Sequence, residues 1–329
     1  MRRALISWSV AFALLIGAFA ITVVALNSTL YSAGGFVGTY LDALARQDAT
    51  TARTMPGVVA AEDLSAELLT DDALPGLSAV ELADDRSGSD GVHTVSYSYD
   101  LDGTEASSDF RVVQTGAFLG LFPTWAFETS PLATAAVTVL HDERFRVNGQ
   151  QLSNADATDE AGNPAVSASY LVFAPGVYDF DHSSTFLTAD AVTVPVTEPG
   201  SVTAVQVNVQ ANPAFVKQVD TELRDYLDEC ATQQVLLPTG CPFGKTFDNR
   251  VDSTPEWSMA DYPRVEIVPG SETGTWLMPE SGAAAHLRVD IRSLFDGTVT
   301  EYDKDIDFDV SYSITIEAAD ELYIQEISQ

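Results

Sequence analysis

The sequence predicts an α+β fold: an apolar N-terminal helix, then two α+β domains separated by a small all-β sandwich. Three observations predict it. An uncharged apolar run opens the chain, helical periodicity appears near residues 36–55 and again near 213–230, and period-two apolar alternation dominates elsewhere.

The chain begins "MRRALISWSVAFALLIGAFAITVVALNSTLYSAGG". Residues 4–26 carry no charge, a length of 23 residues that suffices to cross a hydrocarbon core of roughly 30 Å. Arg2 and Arg3 precede the run and the next charge is Asp42. Basic flanks stay on the cytoplasmic side, so residues 1–3 are expected inside and everything after Leu26 outside. A cleaved signal peptide is the rival reading, because Ala18-Phe19-Ala20 is an A-x-A-type site. Cutting there would leave "ITVVAL" as an apolar new terminus, which favours the anchor. Both readings put the bulk of the chain outside the cytoplasm.

The first α+β domain is expected over 31–136. Phe36, Val37, Tyr40, Leu41 and Leu44 recur at helical spacing. Asp48 can cap a second short helix that Pro56-Gly57 ends, and a third helical stretch is expected from Glu62 to Leu69. Strand runs follow: "LSAVELAD", "HTVSYSYDLDG", "DFRVVQTG" and "TWAFETS". Val95, Tyr97 and Tyr99 alternate with polar residues, and Asp102-Gly103 signals a hairpin. The glycine-rich "GAFLGLF" (116–122) is too apolar to cradle phosphate and is expected to pack.

The sandwich is expected over 137–210, where "TVLHDERFRVNGQQL", "AVSASYLVFAPGVYDFD", "AVTVPVT" and "SVTAVQVNVQ" are short β runs. Asn148-Gly149, Pro175-Gly176 and Pro199-Gly200 separate them, and the polar stretch 154–164 reads as an exposed loop. The second α+β domain, 211–329, opens with Asn212 as N-cap and Pro213 at the first helical position. Phe215, Val216, Val219, Leu223, Tyr226, Leu227 and Cys230 form one apolar face. An irregular segment runs to about Gly274, and long strands joined near Asp296-Gly297 close the chain. Domains one and three share this plan, as a divergent duplication would.

Charge excludes one class of partner. With 48 acidic and 16 basic residues the formal net charge is −32, and no Lys/Arg cluster offsets it, so nucleic acid is not an expected partner. The acidity reads as a solvating surface. The two cysteines, Cys230 and Cys241, are expected to form one disulfide outside the cytosol. Their spacing is not the C-x-x-C of redox sites, and no nearby histidine completes a zinc site.

Chemistry-bearing motifs are sparse. His93, His141, His182 and His286 are scattered, with His93 and His286 opening strands and His182 read as a turn residue beside Asp179 and Asp181. Asp303, Asp305, Asp307 and Asp309 invite a calcium reading, but an EF-hand loop would need Gly and Glu where Phe308 and Ile314 stand. On a strand all four carboxylates would share one solvated face, a weak candidate cation site. No nucleophile elbow, phosphate loop or metalloprotease motif occurs. Tyr40, Tyr97, Tyr99 and Asp109 are the candidates for a polar pair inside the first domain. No cofactor is expected.

The phrases "FVGTYLDALARQDATTAR" and "FVKQVDTELRDYLDEC" resemble the first helix of the nuclear-transport-factor-two-like, cystatin-like superfamily. That resemblance implies cone-like domains, with helices on a strongly curved antiparallel sheet. "FRVNG" and "YLVFAPGVYDF" are similar to small PEGA-like envelope sandwiches. The whole plan resembles envelope proteins of high-GC Gram-positive bacteria and, more distantly, the ectodomain of teicoplanin-resistance-associated membrane proteins, though no cytosolic zinc ribbon precedes the anchor here. The superfamily holds enzymes and binders alike, so fold alone confers no activity. The expectation is a non-catalytic, membrane-anchored envelope protein that binds or scaffolds an envelope protein partner. The alternative is a small-ligand binder or enzyme with a pocket inside one cone.

Overall fold

The computed structural model describes residues 2–61, 64–74, 76–88, 91–157, 166–317 and 320–327. The chain is mixed α+β and mostly sheet, with four helices among the described residues. It divides into two compact units, Met1–Val139, Arg144–Asp181 and Ala191–Val207 in one, and Leu140–Glu143, His182–Asp190 and Asn208–Gln329 in the other.

The first unit opens with α1 (Arg2–Ser28) and α2 (Ala33–Ala45). Ser32 caps α2 by accepting from the Gly35 N–H. A Cβ at Gly35 would meet the Thr29 carbonyl oxygen at 2.2 Å, so glycine lets α2 start hard against the end of α1. Asp48 caps α3 (Ala49–Thr54) by accepting from the Thr51 N–H at 2.9 Å. The apolar stripe of α2, with Val37, Tyr40, Leu41 and Leu44 fully buried, packs on a four-stranded antiparallel sheet. Its strands are β1 (Leu77–Ser87), β2 (Val92–Leu101), β3 (Thr104–Phe118) and β4 (Phe122–Phe127), in that order. Val95, Tyr97, Tyr99 and Leu101 turn inward from β2, while Tyr40 meets Phe110 and Phe127 edge-on. Each such side chain contributes about 1.5–3 kcal/mol on burial.

The helix expected at Glu62–Leu69 does not form over the described part of that stretch; Glu62 lies outside the described residues. Ser65 instead bridges Tyr170, its N–H bonding the Ser169 carbonyl at 3.1 Å and its carbonyl accepting from Leu171 at 2.8 Å. Two backbone bonds to a distant strand, with Leu68 and Leu69 both buried, outweigh a local apolar pattern too short to nucleate a helix.

The rest of the unit is β-structure. β5 (Leu132–Leu140) pairs with β8 (Ser167–Phe173), and β11 (Val202–Asn208) flanks β5. In a second sheet, β10 (Leu187–Val196), β9 (Gly176–Ser183), β6 (Arg144–Val147) and β7 (Gln150–Ser153) follow one another. Phe145 of β6 meets Tyr170 of β8 edge-on at 5.6 Å, joining the two sheets. Asn154, expected in an exposed loop, is buried: its amide donates to the Val137 and Val166 carbonyls and its oxygen accepts from Tyr170. A short polar side chain is retained inside because it satisfies backbone groups at a strand end. Residues 158–164 of that loop lie outside the described residues.

The second unit is built on α4 (Pro213–Ala231). Asn212 caps it, accepting from the Ala214 and Phe215 N–H groups, and β12 (Gln210–Ala211) pairs Leu187 and Thr188 just before it. Phe215, Val219, Leu223, Leu227 and Cys230 form its buried face. The sheet centres on β16 (Thr275–Arg292). One edge of β16 takes β13 (Arg250–Val251), β14 (Glu256–Asp261) and β15 (Val268–Pro269). The other takes β17 (Val299–Ile316), which pairs β18 (Leu322–Glu326). Trp276 is fully buried against Phe215, and Phe243 packs between Trp257 and Phe308.

Candidate functional site

Buried and exposed apolar surface is distributed unevenly between α1 and the rest of the first unit. Trp8, Phe12, Leu14, Leu15, Ile16, Phe19, Ile21 and Val24 of α1 are all exposed, Trp8 by 77%. A helix apolar on every side belongs in an apolar surrounding rather than in water. Among the described residues no single helix is long and apolar enough to cross a membrane. Phe12–Ser28 with Ala33–Ala45, bent by 57°, passes as a pair by length and composition. The α2 half of that pair is a core helix, buried against the sheet.

The segment "GAFLGLF" (116–122), expected to pack, is instead the exposed tip of the β3–β4 hairpin. Phe118 is 58% exposed, Leu119 75% and Leu121 42%. Hairpin pairing consumes the backbone bonds of this segment and leaves its side chains outside. The Asn27 amide of α1 donates to the Leu121 carbonyl at 2.8 Å, and the Tyr31 and Phe122 rings lie 4.6 Å apart.

Cys230 and Cys241 are bonded to each other, their Cα atoms 5.8 Å apart. Cys230 sits in the last turn of α4, and the bond ties the following loop to the helix end. The Gln233 amide donates to the Thr239 carbonyl, and the Tyr226 hydroxyl donates to the Gly240 carbonyl.

The four aspartates of β17 are exposed on one face, with Phe308 and Val310 buried on the other. Across the pair with β16, His286 reaches Asp303 through Nε2 at 2.8 Å and Asp305 through Nδ1 at 2.7 Å. The hydrogen bond to Asp305 and the charges of both carboxylates hold the imidazole above its ordinary pKa. Among the described residues no group of three or more His, Cys, Asp or Glu side chains could hold a metal ion.

The other histidines do not converge. His93 bonds Asp85 at 2.8 Å beside Trp125. His141 bonds the Val209 carbonyl at 3.0 Å. His182, read as a turn residue, lies instead in β9 and is buried, its Nε2 3.1 Å from the Ser184 hydroxyl. The strand runs further than the turn residues Ser183-Ser184 suggest, because alternation from Tyr178 through Phe180 carries His182 inward.

The tyrosine candidates of the first unit serve packing. Tyr40 donates to the Ala174 carbonyl at 3.1 Å, Tyr97 to the Gly34 carbonyl at 2.8 Å, and Tyr99 pairs with Ser108. Burial raises all three phenol pKa values, so they stay protonated donors. Asp109 is exposed and accepts from Ser96, away from those hydroxyls.

The residues of one cavity were not anticipated. Val219, Glu222, Leu223 and Tyr226 of α4 and Tyr312, Ile324 and Glu326 of β17 and β18 enclose a groove of about 340 Å³. Burial raises both phenol pKa values, with Glu326 adding to each. Period-two alternation in β17 could have brought Tyr312 to the inner face, but Glu326 reaches the site only through a strand pairing. The groove offers an apolar floor and two carboxylates, the chemistry of a cationic ligand with an apolar body.

No family model, curated protein or solved structure matches this chain. The residues themselves carry the functional reading.

Proposed function

We propose that this chain is a non-catalytic, membrane-anchored protein whose bulk lies outside the cytoplasm, where it binds or scaffolds a protein partner in a bacterial cell envelope. One observation carries the reading: most of the described apolar side chains of α1 are exposed, whereas α2 and α4 bury their apolar faces. The helix is 27 residues long, about 40 Å at 1.5 Å per residue, and residues 4–26 are uncharged. The Cys230–Cys241 bond supports an oxidising compartment. An acidic surface suits an exterior crowded with cations and discourages contact with nucleic acid.

In this proposal residues 1–3 stay cytoplasmic and 4–26 span the bilayer. The helix-on-sheet arrangements of α2 and α4 are read as cone-like domains, and the sheets between them as the envelope-type sandwich. Secretion after cleavage near Ala20 is the competing localisation. Alkaline extraction of membranes from expressing cells tests the anchor. Intact chain should stay in the pellet, and a soluble form beginning near Ile21 or Asn27 would overturn it. Crosslinking in intact cells tests the scaffold role, which fails if no envelope protein is recovered reproducibly.

A second reading has one observation in its favour, the groove bounded by Tyr226 and Tyr312. It makes the second unit a binder of small cationic ligands. Titration with alkyl-ammonium compounds, followed by NMR shifts at Leu223 and Ile324, tests it; unchanged shifts at millimolar ligand refute it.

A further inference from the structure

We propose that the tip of the β3–β4 hairpin is a second membrane-contacting element, seated in the outer bilayer interface beside the end of α1. The inference rests on the anchor reading of α1. Three features of the first unit lead to it.

The first is position. Asn27 follows directly on Leu26, where the apolar stretch gives way to polar residues, and its amide donates to the Leu121 carbonyl at 2.8 Å. The Tyr31 ring lies 4.6 Å from that of Phe122 in a tilted pair, and the Tyr31 carbonyl accepts from the Trp125 indole at 2.9 Å. The hairpin tip is therefore fixed at the level where an anchor over 4–26 would leave the hydrocarbon. Leu30 is exposed there as well. Tyrosine and tryptophan at that level are the residues that favour a membrane–water interface.

The second is composition. The hairpin carries no charge from Val112 to Phe127, in a chain with 48 acidic residues. Phe118, Leu119 and Leu121 are exposed together at the tip, an apolar patch that water disfavours. Contact driven by apolar burial needs no basic residues, and the patch has none.

The third is the turn itself. Leu119 and Gly120 both have positive φ, at 52° and 66°. Two more turns of the first unit have the same signature: Asp102-Gly103 at 50° and 82°, and Asn148-Gly149 at 49° and 85°. Those two use Asp and Asn, which tolerate the left-handed region and suit water. At Leu119 the same backbone position holds a leucine, which relieves no strain and gains nothing in water. An apolar surrounding for that side chain accounts for the choice.

The test uses the full chain in vesicles of phosphatidylcholine and phosphatidylglycerol. Both native cysteines are bonded to each other, so one introduced cysteine is the sole free thiol. Spin labels go on Phe118→Cys, Leu119→Cys, Leu15→Cys as the anchor reporter, and Glu105→Cys as the aqueous reference. Glu105 lies on the same strand 13 residues from Phe118, roughly 40 Å away. The readout is the ratio of collision with oxygen, which enters lipid, to collision with a nickel chelate, which does not. The expected result is a ratio at 118 and 119 several-fold above that at 105, unchanged by added salt. Lipid exposure at 15 with water exposure at both 118 and 119 would overturn the hairpin assignment and leave the anchor standing. Water exposure at 15 would overturn both. Dipolar broadening at 119 without oxygen contact would overturn the membrane assignment in favour of contact between copies.

Discussion

Reducing the Cys230–Cys241 bond should destabilise the second unit by about 3 kcal/mol. The bond spans a sequence separation of 11 residues, and the chain-entropy model assigns a loop of that size about 3 kcal/mol of denatured-state constraint. The native loop has other ties: the Thr239 N–H bonds the Gln233 side chain at 2.8 Å, and Tyr226 holds the Gly240 carbonyl. The native fold therefore persists without the bond, and the effect falls on the unfolded chain. The double substitution Cys230→Ala and Cys241→Ser should lower the melting temperature of the second unit by roughly 10 °C. It should also raise the denaturant slope, because the unlinked chain exposes more surface on unfolding. Reductant added to the unsubstituted protein should reproduce the shift. Alkylation of the native protein without reductant, or a melting temperature indifferent to reduction, would refute the reasoning.

Other outcomes follow from single residues. The His286 imidazole is held above its ordinary value of 6.5 by Asp305 and Asp303, so Asp305→Asn should lower the pKa read from its NMR titration; an unchanged midpoint refutes the pairing. The sign follows: the stability from this pairing is fully present below the unfolded value and is lost as pH rises through the folded one. Tyr40→Phe should cost about 1–3 kcal/mol in urea unfolding, since the Ala174 carbonyl loses a buried donor, and a neutral result removes that role. Asn212→Ala should cost about 1 kcal/mol by freeing the Ala214 and Phe215 N–H groups of α4; unfolding at an unchanged midpoint would count against the cap.

Local rules were readable in the residues. The apolar stripes of α2 and α4, the caps Asp48 and Asn212, and the turns Asp102-Gly103 and Asn148-Gly149 depend on neighbours within a few positions. The Cys230–Cys241 bond followed from the expected compartment and the count of two cysteines. What escaped depends on distant partners. Ser65 leaves its expected helix for a bridge to Tyr170, and Asn154 is drawn inward by Val137 and Val166. The groove brings Tyr226 to Glu326, 100 positions later in the chain. The exposure of Phe118, Leu119 and Leu121 escapes for another reason: apolar composition marks what avoids water but does not place it inside the protein. The sparse chemistry of the histidines and of Asp303 to Asp309 reflects strand alternation, which lines carboxylates up on one face without converging them.

Thiol labelling of intact cells tests the central claim most directly. A single cysteine is placed at Arg3 or at Val202, which is exposed on β11, and a membrane-impermeant maleimide is added outside. With residues 1–3 inside and the remainder outside, Val202→Cys should label in intact cells and Arg3→Cys only after lysis. Labelling of Arg3→Cys in intact cells, or of Val202→Cys only after lysis, would contradict the account.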